Sequence, residues 1–186
     1  MKEEINKCIE ILKVDGLILY PTDTVWGVGC DATNEEAVKK IYKLKQREDS
    51  KSLIVLVAND AMLQKFVVEI TDLAWDIIDI AKKPTTIIYP KAKNFAKNLI
   101  AKNGSIAIRM VKEGFCNQLI QKFNKPIVST SANVSNNATP KNFQEIANEI
   151  KAGVDFVVNQ KFDTGTKKAS SILKIGLAGE IEVLRK

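Results

Sequence analysis

Short apolar runs bounded by turn residues alternate with amphipathic stretches along nearly the whole chain, and this alternation limits the fold more than any other feature. Residues 2–13 space Ile5, Cys8, Ile9 and Leu12 three and four apart, which predicts a helix ending before Gly16. GLILY (16–20) follows as a buried strand. Thr33 and Glu36 have capping-box spacing, and Ala37, Val38, Ile41 and Leu44 continue a helix ending near Lys45. SLIVLVA from Ser52 reads as a second buried strand, and Asp60 and Thr71 as caps of two helices. Further strands are expected at TTIIY (85–89), SIAIRM (105–110), PIVSTSA (126–132), VDFVVN (154–159), SSILKI (170–175) and IEVLR (181–185). Helices fit 114–123 and 140–150, the latter with Thr139 as cap and Pro140 in its first position. Strands apolar on both faces, alternating with helices, imply an α/β fold: a twisted, mostly open sheet flanked by helices. The hairpin-like spacing near residue 180 makes that sheet mixed.

At 186 residues a single domain spanning 1–186 is expected. Hydrophobic residues make up 45% and charged residues 27%, ordinary for a globular protein, and no apolar run approaches the ~18 residues of a membrane span. The first residues, MKEEINKCIEILK, mix acids and bases and reach GLILY without a small-residue cleavage site, so no signal peptide is read and a cytoplasmic location with no membrane partner is expected. Cys8, Cys30 and Cys116 have no C-x-x-C spacing and are read as core residues, which sets aside a disulfide framework or zinc site. Histidine is absent, excluding a His general base or metal ligand. Of 28 basic residues only Arg47, Arg109 and Arg185 are arginine. A chain using Lys for almost all its surface charge can keep Arg where a planar, two-pronged cation is needed, on carboxylates and phosphates. The net charge of +6 favours an anionic partner such as a nucleotide or RNA, although the lysines are scattered and mostly read as solvated faces.

Polar groups gather at strand ends, where open α/β sheets bind ligands. PTDT (21–24) follows the first strand; taken alone, its hydroxyls and Asp23 read more simply as turn residues. Gly27 and Gly29 are turn glycines or points of close backbone approach. KLKQR (43–47) either complements a helix C-terminus or lies at the mouth of the sheet. In STSANVS (129–135), Ser129, Ser131 and Asn133 share one face of an extended chain. Arg109 interrupts an apolar strand and needs a partner carboxylate or a ligand, two readings of equal weight. The Ser170–Ser171 pair and Arg185 complete the set.

Together YPTDTVWGVGCDAT, KQREDSKSLIVLV, SIAIRM, PIVSTSANVS and SSIL…VLRK resemble, in order and from about Gly16 to Arg185, the YrdC or TsaC family of threonylcarbamoyl-AMP synthases in its short, single-domain form. The resemblance implies a nucleotidyltransferase joining L-threonine, bicarbonate or CO2, and ATP into L-threonylcarbamoyl-AMP with release of pyrophosphate, for threonylcarbamoyladenosine modification of tRNA. It implies that Lys45, Arg47, Ser131 and Asn133 surround the ATP phosphates, with Lys45 and Arg47 catalytic through charge stabilisation. Lys51, Ser105, Thr139 and Arg185 match nucleotide-side positions. Thr24, Arg109 and Ser129 match positions holding threonine, and Ser170 or Ser171 a serine beside it. Mg2+ would accompany ATP, held largely by the phosphates rather than by protein ligands. A separate tRNA threonylcarbamoyl transferase complex would take the product, and a direct tRNA contact suits the basic surface. The alternative is a catalytically silent RNA-binding relative; a carbamoyl-handling enzyme with another acceptor carries less weight. Departures from the family pattern are Leu56, where longer members often have histidine, AKKP (81–84) for Trp-Pro-Gly-Pro, and Ser135-Asn136 for Ser-Gly.

Overall fold

The apolar runs form strands and the amphipathic stretches form helices in the computed structural model, which describes residues 1–46 and 53–186. In chain order the strands are β1 (Ile18–Pro21), β2 (Trp26–Gly29), β3 (Ile54–Val57), β4 (Thr85–Tyr89), β5 (Ile106–Met110), β6 (Ile127–Ser131), β7 (Phe156–Val157), β8 (Ser171–Ile175) and β9 (Ile181–Arg185). Among the described residues they form one nine-stranded sheet in the order β7-β1-β2-β6-β3-β5-β4-β8-β9. The β1/β7, β3/β5 and β4/β8 pairs are parallel and the others antiparallel, so the sheet is mixed and open, as the alternation implied.

The helices are α1 (Lys2–Lys13), α2 (Glu35–Leu44), α3 (Asp60–Phe66), α4 (Asp72–Ile80), α5 (Gly114–Phe123) and α6 (Asn148–Ala152). The stripe on α1 buries Ile5, Cys8 and Leu12, and the helix packs with α5 against β1. At 1% exposure, Leu12 is a site where truncation to Ala costs about 2–5 kcal/mol.

Two helix starts differ from expectation by one residue. Asn34, not Thr33, caps α2, its side chain accepting from the Ala37 N–H at 3.0 Å. Thr33 is already committed, since its N–H and hydroxyl both donate to Asp31 Oδ1 at 2.8 and 2.6 Å. Likewise Asn59, not Asp60, caps α3 through the Met62 N–H; Thr71 caps α4 as read. The helix expected over 140–150 shrinks to α6, and Thr139 caps nothing. Glu145 accepts from the Lys141 N–H and Asn142 accepts from the Glu145 N–H, so side chains supply the partners that a helical ladder would have used. A strand not anticipated, β2, lies between β1 and β6. Its Gly27 and Gly29 are close-approach glycines: an added Cβ would stand 2.9 Å from Ser129 Oγ and 2.5 Å from the Val128 carbonyl oxygen.

Register sets up the site. Leu56, Arg109, Thr86, Ile172 and Arg185 pair in one lateral row across β3, β5, β4, β8 and β9. The adjacent row on the same face holds Ser129, Ile54, Ala107 and Ile88. Between β8 and β9 the register slips: Ile172 faces Arg185 but Leu173 faces Val183, leaving Leu184 as a bulge. In a regular ladder Leu184 would face Ile172 and Arg185 would point to the opposite side. The extra residue re-aims the arginine.

Candidate functional site

Ile54, Ala107, Ile88 and Ile172 line a cavity of about 310 Å3. Its polar lining comes from Thr24, Arg109, Ser129, Thr130, Ser131, Thr139, Ser170 and Arg185, and Trp26 and Leu184 add apolar wall. Segments far apart in sequence, from Thr24 to Arg185, therefore meet at one face of the sheet. A larger cavity of about 540 Å3 is lined by Ile87, Ile108, Met110, the α5 start and the AKKP segment, which alternation puts on the opposite face.

Arg109 has a 4% exposed side chain and the partner carboxylate that its apolar strand demands. Asp23 Oδ1 accepts from Arg109 Nε at 3.2 Å and Nη2 at 3.0 Å, and Nη2 also donates to Thr24 Oγ1 at 3.2 Å. The carboxylate reading of this arginine is met by Asp23, and the ion-paired guanidinium also lines the cavity. Thr22 donates to the Val25 carbonyl at 2.7 Å, so in its 2.9 Å contact with Thr24 the latter must be the donor. Only Thr24 of the two PTDT hydroxyls faces this cavity; that of Thr22 is spent inside the turn, and Thr22 lines the opposite cavity instead.

A second cluster lies across the row. Ser170 Oγ is 2.8 Å from Thr86 Oγ1, both buried. Arg185 donates through Nε to the Ser170 carbonyl at 2.7 Å and through Nη2 to its hydroxyl at 3.3 Å. Burial, and then the positive charge of Arg109, pull the Arg185 guanidinium below its ordinary pKa. Two cations that feel each other across one cavity, of which only Arg109 is ion-paired among the described residues, suit an anionic ligand.

Beside this cavity the chain 163–167 lies on PTDT like a strap. Thr166 N–H donates to the Asp23 carbonyl and Lys167 N–H to the Thr24 carbonyl, at 3.1 and 2.9 Å. Asp163 accepts from Trp26 Nε1 at 2.8 Å and pairs with Lys167. Trp26 also packs on Phe143, ring centroids 4.9 Å apart.

Of the residues singled out from sequence, Thr24, Ser129, Ser131, Thr139, Arg109, Ser170 and Arg185 line the one cavity. Lys45 does not line it: its ammonium is buried and donates to the Ser131 and Asn133 carbonyls, both at 2.5 Å, tying the end of α2 to the turn after β6. Asn133 turns its amide to the Val134 and Asn137 carbonyls, while its Oδ1 and Ser135 Oγ are buried with no hydrogen-bond partner among the described residues. Ser105 bonds Asn103 at the far end of β5 and does not line the cavity. Ser171 alternates with Ser170 and takes the other face, so Ser170 is the serine at this site. Arg47 and Lys51 lie outside the described residues. Leu56, in the row beside Arg109, is fully buried. Asn136 adopts a left-handed backbone at φ 70°, as the turn after S-x-N requires.

The sequence read Asp23 only as a turn residue and Thr130 as facing away from Ser129 and Ser131, and it did not single out Thr86, Trp26 or Asp163 for the site. Asp23 had a usable signal, since an arginine in an apolar strand implies a carboxylate somewhere. Nothing local marks Thr86 or Asp163, whose partners lie 84 and 137 residues away. No group of three or more acidic, cysteine or histidine side chains that could hold a metal occurs among the described residues, and none of their helices is long and apolar enough to cross a membrane.

The Sua5/YciO/YrdC family model, described as telomere recombination, matches residues 10–186. A threonylcarbamoyl-AMP synthase of Psychromonas ingrahamii is 36% identical over 155 residues, 81% of each chain. One from Pseudoalteromonas translucida is 32% identical over 180 residues, 95% of each. Among solved structures, P. abyssi Sua5 complexed with L-threonine superposes with a TM-score of 0.82 at 24% identity, covering 92% of this chain and 50% of that one. The chain thus spans about half the length of that Sua5 while covering nearly all of the shorter relatives. On the match over residues 10–186 and the two bacterial relatives, the chain belongs to the Sua5/YciO/YrdC family.

Proposed function

We propose that this protein is an L-threonylcarbamoyladenylate synthase, a nucleotidyltransferase that forms threonylcarbamoyl-AMP and pyrophosphate from L-threonine, bicarbonate or CO2, and ATP. The observation carrying the proposal is the 310 Å3 cavity in which an ion-paired arginine, a threonine hydroxyl and a second arginine converge over an apolar floor. The names of the bacterial relatives and the L-threonine complex of Sua5 support the same substrates.

In this reading Arg109 binds the threonine carboxylate, with Thr24, Ser129 and Ser170 around the rest of the amino acid. Arg185 and Thr139 face the nucleotide, with Ser105 farther out along β5. The S-x-N turn, held by Lys45, lies toward the triphosphate, and Arg47 and Lys51, by their match to the family pattern, are the further cations that would bind it. The threonine amine attacks CO2, giving a carbamate and releasing a proton. A carbamate oxygen then attacks the α-phosphorus in line, and the bond to the departing pyrophosphate breaks. No protein nucleophile or histidine is needed, and the work of the site is alignment and cationic stabilisation of phosphate charge. Mg2+ fits as a companion of ATP: the orphaned Asn133 Oδ1 is a hard neutral oxygen, and the absence of an acidic cluster among the described residues leaves most coordination to phosphate and water. When bound, it would neutralise charge on the pyrophosphate leaving group. The product is a mixed carbamic–phosphoric anhydride, which a transferase acting on tRNA would consume.

The test is pyrophosphate release from ATP by the full chain. Release should require L-threonine and bicarbonate together, and Arg47→Ala should lower turnover by about 100-fold, the scale of a lost phosphate-stabilising group. Release that ignores threonine would remove the assignment.

A further inference from the structure

We infer that Asp23 is a positioning residue: it commits the Nε and Nη2 side of the Arg109 guanidinium so that only Nη1 is offered to a ligand, beside a Thr24 hydroxyl that can only accept. The inference rests on the threonine reading for its ligand and on hydrogen-bond accounting for its geometry. A guanidinium has five N–H donors. Three are spent here, the Nε hydrogen and one Nη2 hydrogen on Asp23 Oδ1 and the second Nη2 hydrogen on Thr24 Oγ1. The two on Nη1 have no partner among the described residues. Because a single carboxylate oxygen takes two of these bonds, the guanidinium is held in place at the end of its flexible stem.

The same accounting fixes the polarity of Thr24. Thr22 gives its only hydroxyl hydrogen to the Val25 carbonyl and accepts from the Thr24 N–H at 3.1 Å, so Thr24 gives its own hydrogen to Thr22. With one lone pair taken by Arg109, Thr24 Oγ1 has one left, an acceptor. The site therefore offers donors from Nη1 next to an acceptor from Thr24. That pair is complementary to a carboxylate adjacent to an ammonium or hydroxyl, the head of an α-amino acid. Asp23 is itself fixed by its backbone, whose carbonyl accepts from Thr166 of the strap.

Two measurements test this. Arg side-chain 15N spectra contain only three Nε signals, from Arg47, Arg109 and Arg185, so each is assignable by substitution. The Arg109 Nε–H should be slow to exchange in the native chain, fast in Asp23→Ala, and slow again in Asp23→Asn, which keeps an acceptor oxygen. In steady-state pyrophosphate release, Asp23→Ala should raise the threonine KM about tenfold or more while leaving the ATP KM within about twofold, and Asp23→Asn should recover most of the loss. A protected Arg109 Nε–H in Asp23→Ala, or a threonine KM equal to that of the native chain, would overturn the role. Equal damage by Ala and Asn would also overturn it, because charge and not hydrogen-bond geometry would then be responsible. If the native chain shows no threonine dependence, the proposed function fails while the exchange measurement still decides whether Asp23 fixes the guanidinium.

Discussion

Gly165→Ala tests the contact between the 163–167 strap and PTDT. A Cβ at Gly165 would stand 2.6 Å from the carbonyl oxygens of both Thr22 and Thr24 and 3.1 Å from the Thr24 carbonyl carbon. Ordinary contact begins near 3.4 Å, so the strap and the motif must part by about 0.8 Å, and the obstructing atoms are backbone, which cannot rotate away. Overpacking of this kind costs about 1–3 kcal/mol, and weakening the Thr166 and Lys167 bonds to Asp23 and Thr24 adds about 1 kcal/mol. The sum, about 2–4 kcal/mol, lowers Tm by roughly 5–15 °C for a chain of this size. Displacing Thr24 by that distance should also raise the threonine KM by about 10- to 100-fold. Calorimetry and pyrophosphate release read the two effects. Gly179→Ala is the control: its φ of 89° strains an added side chain, but nothing lies within 4 Å and it sits far from the cavity in the β8–β9 turn. It should cost about 1 kcal/mol and leave KM alone. A Gly165→Ala protein with the Tm and threonine KM of the native chain would show that the strap does not bear on the motif, and the reasoning would fail.

Three other outcomes are expected. Arg185→Met should raise the ATP KM about tenfold while Tm stays within about 2 °C, because β9 is an exposed edge strand; an unchanged ATP KM would take Arg185 out of the site. Burial, reinforced by Glu4, pushes the Cys8 thiol up to about 12, and burial also raises Cys30 and Cys116, so none of the three should react with a disulfide reagent at pH 8 until the chain is unfolded. Because the folded thiols hold their protons more tightly than the unfolded ones at 9.0, their contribution to stability is complete below about pH 9 and is lost as pH climbs toward 12. A denaturation midpoint that rises between pH 9 and 10.5, or a fast-reacting native thiol, would refute it.

The strands β3 and β5 were legible because their apolar runs have few other stable arrangements, and the cluster of Thr24, Ser129, Ser131 and Arg109 followed from their places at strand ends. Caps were misplaced where two capping residues stood side by side: Thr33 was drawn off by Asp31, and Asn34 took the helix. Residues 140–150 carry helical spacing but also Asn142 and Glu145, whose side chains bond nearby backbone more readily than the helix can hold them. Ser105 and Ser171 look equivalent to Ser170 in the sequence, yet distance along a strand and strand parity separate all three.

By its own residues the chain determined that buried strands would alternate with helices, and that Arg109, set in an apolar strand, would need a negative partner. Local backbone preference and the cost of an unpaired buried charge operate wherever such segments occur. Which carboxylate answers, Asp23 at 86 residues' remove, was decided only when β1 and β5 took their places in one sheet. So were the bulge at Leu184 that turns Arg185 inward and the bare backbone contact at Gly165. These depend on lateral register and on the spacing between packed segments, which no short stretch of chain encodes alone.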